Sequence, residues 1–171
     1  MKEIEFWFSI GSTYTYLSVT RLVELTKKTG ASFFWQPFSV RRIMREMDNV
    51  PFPPSKKVKV EYMWRDIERR AEGYGFPVNV PAPYPLEEFD LANRVAVVAS
   101  QEDWCEDYVR STYRLWFVDG LEAGSDVNLT QTLSELGQDK SRVLELAGSP
   151  DIEAAYLNKT ETAKRAGVFG S

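Results

Sequence analysis

The chain opens on an apolar, aromatic-rich stretch from Ile4 to Ile10 that breaks at Gly11 into the hydroxyl residues Ser12 and Thr13. A helical apolar spacing follows, with Leu17, Leu22, Val23 and Leu25 on one face and Gly30 placed to end it. The pattern predicts a buried strand over 3–9, a helix over 13–29 and a short strand over 31–36, stopped by Pro37. Strand, helix and strand in that order make a right-handed crossover and a parallel pair.

Beyond Pro37 helical spacing takes over. Val40-Arg41-Arg42-Ile43-Met44-Arg45 reads as a short basic helix, and Asn49 to Pro54, with three prolines in its last four residues, as an extended loop. A helix is predicted over 55–73, then a second proline-rich loop from Tyr74 to Pro85, then helices over 87–100, 104–118, 127–136 and 140–147. Ser149 and Pro150 suit the N-cap and first turn of a last helix reaching Ala166. Two parallel strands normally need further strands, and Gly167 to Ser171 reads as the start of a third.

Composition narrows the chemistry more than the fold. The 171 residues suit one domain, or a compact domain carrying an insertion. No apolar run is long enough to cross a bilayer, and a formal charge of −4 gives no nucleic-acid signal, so neither partner is expected. The single cysteine, Cys105, allows no internal disulfide, points to a reducing, cytoplasmic setting and reads as structural. Without histidine and with one cysteine, a Ser-His-Asp triad, a Cys-x-x-Cys pair and a zinc ribbon are excluded, and no metal is expected. Hydroxyls, Lys/Arg, carboxylates or a bound cofactor remain.

Ser12 stands at a helix start, where unpaired N–H groups and the helix dipole suit an anion or a thiolate; the alternative is a simple cap. Arg41, Arg42 and Arg45, with Lys56, Lys57 and Lys59, either face one anion-attracting cleft or form a solvated surface. Trp35, Trp64, Trp104 and Trp116 are expected in the core, whereas Tyr84, in a proline-fixed loop, is a candidate pocket rim.

Together, Phe6-Trp7-Phe8-Ser9-Ile10-Gly11-Ser12-Thr13-Tyr14-Thr15-Tyr16-Leu17, Pro53-Pro54 with Lys59-Val60-Glu61-Tyr62, Asp66 with Arg69-Arg70-Ala71, Gly75-Phe76-Pro77 to Pro81, and Gly167-Val168-Phe169-Gly170 resemble the 2-hydroxychromene-2-carboxylate isomerases and kappa-class glutathione transferases. The resemblance implies an α/β, thioredoxin-like fold of the DsbA kind: a βαβ unit over 1–38, a large all-helical insertion over 39–148, and a return helix over 149–171 that begins the C-terminal half. It implies glutathione as cofactor, with Ser12 catalytic and holding its sulfur as a thiolate, Asn49 and Lys59 contacting it, and Arg42 and Tyr84 lining the pocket of a small aromatic carboxylate substrate.

Thr13 stands where that family has proline and Ser9 where it has aspartate. The C-terminal strands of the thioredoxin fold, with their cis proline, are expected to be missing from this chain, which would lower glutathione affinity and leave an open strand edge for a homodimer. The expected function is a glutathione-dependent isomerase or transferase. The alternatives are a non-catalytic thioredoxin-like scaffold or binding protein, in which Ser12 is only a cap, and an anion-binding helical module.

Overall fold

The computed structural model describes residues 3–49 and 54–170, the side chain of Pro54 apart. Strands β1 (Glu3–Phe8) and β2 (Ser32–Pro37) pair in parallel, with Phe6 opposite Trp35 and Phe8 opposite Pro37. Helix α1 (Thr15–Thr29) connects them and stops where left-handed Gly30 returns its N–H to the Thr26 carbonyl. Pro37 ends the strand from inside rather than preceding its stop. The next residue, Phe38, turns its N–H to the Phe8 carbonyl at 3.0 Å, so the donor that proline lacks is on the side facing away from β1.

The helices that follow are α2 (Val40–Glu46), α3 (Lys57–Tyr74), α4 (Phe89–Gln101), α5 (Cys105–Phe117), α6 (Asp126–Glu135), α7 (Lys140–Ala147) and α8 (Pro150–Arg165). Side chains of Ser39, Ser125, Asp139 and Ser149 cap α2, α6, α7 and α8, satisfying amides that would otherwise lack a partner. The proline loop predicted at 49–54 lies, over 50–53, outside the described residues. The expected third strand does not begin at Gly167. Left-handed Gly167 lets Val168 donate its N–H to the Ala163 carbonyl at 2.9 Å, which closes α8, and the sheet among the described residues has two strands.

Helices α4 and α8 pack on β2, and one apolar core joins Phe8 and Trp35 to Val95, Trp116 and Tyr156. All four tryptophans expected there are buried, as is Cys105, whose thiol burial pushes up to about 12. Because β1 and β2 run in parallel, the segments 9–14 and 38–40 leave the same end of the sheet. They are stitched together there: the Val40 N–H donates to the Ser9 hydroxyl and the Ser39 N–H to the Thr160 hydroxyl of α8. The crevice beyond the carboxyl ends of parallel strands is where such folds bind ligands.

Candidate active site

Ser12 lies half-buried in a tight turn, its N–H donating to the Ser9 carbonyl at 3.0 Å. It is not the cap of α1. That position is held by Tyr14, whose side chain makes no capping bond, while the Thr13 hydroxyl donates to the Met63 sulfur of α3 at 3.1 Å. The amides of Thr13 and Tyr14 donate to no backbone carbonyl among the described residues, and the first turn of α1 holds no acidic residue. An uncommitted helix N-terminus with no carboxylate in its first turn favours a bound anion.

Two buried polar side chains, neither singled out by sequence, set this turn. Asn93 of α4 accepts the Ile10 N–H and donates to the Ile10 carbonyl, both at 2.8 Å, and also donates to the Phe89 carbonyl. The Tyr113 phenol of α5 reaches the carbonyls of Ser9 at 3.2 Å and Ser12 at 3.0 Å. Burial raises the Tyr113 pKa and keeps this phenol a donor. The available signal is faint: an asparagine beside Arg94 within the largely apolar run Leu91-Ala92-Asn93-Arg94-Val95-Ala96-Val97-Val98. Gly11 has φ +112°, and a Cβ there would meet the Phe89 ring at 2.4 Å, so the turn requires glycine twice over.

Around the turn, α3 runs beside α1 in the same direction, through Thr13–Met63, Tyr14–Asp66 and Arg21–Tyr74 contacts. The beginning of α3, with Lys57 and Lys59, therefore extends past the N-terminus of α1. Lys59 stands one turn before Met63 on that face. Tyr14 donates to Asp66 at 2.9 Å, and its phenol is pushed up to about 12, by burial first and then by that carboxylate. Tyr84 is half-buried with its ring edge-on to Trp64 of α3, and burial raises its pKa.

The remaining expected site residues are placed less directly. Asn49 is exposed just after α2, its N–H donating to the Met44 carbonyl. The basic group does not face one cleft as a unit. Arg41, Arg42 and Arg45 line a cavity between α2, α4 and α8, while Lys56, Lys57 and Lys59 are exposed at the start of α3. Ser12 lines neither this cavity nor the larger cleft along α1 and α5.

A parallel strand pair whose serine-bearing turn feeds a helix, followed by a helical block, defines a thioredoxin-like protein. The model of the DsbA-like thioredoxin domain matches residues 3–171, and the chain belongs to that family. It is 27% identical over 173 residues to 2-hydroxychromene-2-carboxylate isomerase of Sphingobium xenophagum, covering 99% of this chain and 86% of that protein. Glutathione S-transferase kappa 2 of Caenorhabditis elegans is 22% identical over 177 residues, covering 99% of this chain and 79% of that one. A solved 2-hydroxychromene-2-carboxylate isomerase superposes with a TM-score of 0.85 at 24% identity, covering 98% of this chain and 82% of that one, and shares the fold. The curated relatives are thus enzymes, isomerases and a transferase.

Proposed function

We propose that this protein is a glutathione-dependent isomerase or transferase of the 2-hydroxychromene-2-carboxylate isomerase kind, acting on a small aromatic carboxylate. The observation that carries the reading is the Ser12 turn: a hydroxyl at an uncommitted helix N-terminus, pinned by Asn93 and Tyr113, with lysines of α3 extending past it. Such a donor set fits a thiolate, because a hydroxyl donor and helix-end charge both lower a thiol's pKa. When bound, glutathione would supply a sulfur nucleophile that adds reversibly to the substrate's conjugated double bond, which permits rotation before expulsion. In this reading Ser12 donates its hydroxyl to the sulfur, Lys59 and Asn49 hold the tripeptide, and Tyr84 and Arg42 bound the substrate side. Residues 1–38 and 149–171 then form the scaffold and 39–148 the wall, in a homodimeric cytoplasmic protein.

Calorimetric titration of glutathione into the wild type and Ser12→Ala tests this. Saturable binding that the substitution weakens at least about tenfold supports it. No saturable heat, or equal affinity in both proteins, overturns it in favour of a non-catalytic thioredoxin-like scaffold.

A further inference from the structure

The cavity between α2, α4 and α8 has a volume of about 150 Å³ and is walled by four arginines, Arg41, Arg42, Arg45 and Arg94, against two carboxylates, Asp90 and Glu153. In a chain whose formal charge is −4, this gives a local excess of two positive charges, four minus two. The guanidinium groups are not spent on those acids. Among the described residues Arg41, Arg45 and Arg94 form no ion pair, and Arg42 reaches only Glu46, at 3.9 Å. Glu46 is itself held by Lys164. Asp90 turns to the Tyr156 phenol at 3.4 Å instead.

One of the arginines is also fixed in place, and another carries a buried donor without a partner. The Arg41 guanidinium carbon lies over the Phe89 ring, 4.0 Å from its centroid, and the side chain donates to the Leu86 carbonyl at 3.2 Å. Burial lowers its pKa, and the Asp90 carboxylate, which pulls the other way, does not offset that burial. The Arg94 Nε is buried and has no hydrogen-bond partner, a costly vacancy for a charged donor. Guanidinium forks match tetrahedral and carboxylate oxygens in pairs, and a doubly charged anion would neutralise the excess.

We propose that this cavity is a binding site for a compact dianion of the phosphate type, free or as the phosphoryl group of a small phosphomonoester. It is separate from the Ser12 turn: the Phe89 ring stands between Arg41 on one face and Gly11 beside it. Of its four arginines only Arg42 is shared with the proposed substrate wall, and Arg41, Arg45 and Arg94 have no part in that reading.

The test is calorimetry of inorganic phosphate into the wild type, Arg94→Met, the exposed-site variant Arg45→Ala, and Ser12→Ala, with sodium chloride at matched ionic strength as control. A small phosphomonoester such as glycerol phosphate forms a second arm. Saturable phosphate binding, weakened at least about tenfold by Arg94→Met or Arg45→Ala and unchanged by Ser12→Ala, supports the site. Tighter binding of the ester than of phosphate assigns the occupant to an organic phosphate, and the reverse to the free ion. Absent saturation, heat reproduced by chloride, or an affinity indifferent to both arginine substitutions overturns it. Because Arg45 is exposed, Arg45→Ala keeps the test valid should Arg94→Met fail to fold.

Discussion

Asn93 and Ile10, 83 residues apart in sequence, exchange two hydrogen bonds of 2.8 Å, the asparagine side chain satisfying both backbone groups of its partner. Both are fully buried. Asn93→Leu leaves the Ile10 N–H and C=O without partners in the interior, and the expected cost is about 2–4 kcal/mol. A fall in the urea midpoint at unchanged slope measures it; a loss below about 0.5 kcal/mol contradicts the role assigned here.

Tyr113→Phe removes only the hydroxyl that reaches Ser9 and Ser12, leaving the ring tilted against Trp116 and Phe117. Stability should fall by about 1–3 kcal/mol. Glutathione affinity should fall as well, in contrast to a purely structural change in a distant core residue such as Val143→Ala, which is expected to leave binding alone.

Gly11→Ala meets both a left-handed backbone and the Phe89 ring. Strain and overpacking together predict a loss of about 2–4 kcal/mol. Phe89→Leu opens the space, so the double variant should be less destabilised than the two single losses summed. Strict additivity in denaturation would show that the ring is not what constrains this glycine.

Alkaline pH should weaken the fold. Burial pushes the Tyr16 phenol from 10.0 to about 12 and the Cys105 thiol from 9.0 to about 12. Both pKa values are raised by folding, so the unfolded chain loses its protons first. The contribution of these two groups is complete below pH 9.0 and declines as pH rises toward about 12. Cys105→Ala should make that decline shallower in urea titrations run across this range; an identical profile in both proteins argues against thiol burial as a contributor.

Lys59→Ala should weaken glutathione binding modestly and flatten its salt dependence, because this cation stands at an exposed rim where screening is effective. A salt dependence identical to that of the wild type would remove Lys59 from the binding surface.

Local signals predicted the elements well where capping and periodicity agreed. Lys140–Ala147 matches the predicted 140–147, and Ser149-Pro150 opens α8 as its residue types require. The sequence pattern places the start of α1 two residues early, because Ser12 and Thr13 look like caps in sequence while their bonds go to Ser9 and Met63. What local pattern does not carry is tertiary. Asn93 and Tyr113 act on a turn roughly a hundred residues away, and the arginines of α2 meet Arg94 only once α4 docks. A helical asparagine looks the same in sequence whether it faces water or another segment's backbone.

The two-sided grip on Ser9 to Ser12 has a consequence for the nascent chain. The segment that carries Ser12 is synthesised before α4 and α5, yet its shape is dictated by side chains on those two helices. Local helix formation in α1 can proceed early, whereas closing loops of 83 and 101 residues must wait for the helical block. The serine turn is therefore a late product of folding, assembled only when α4 and α5 have been made.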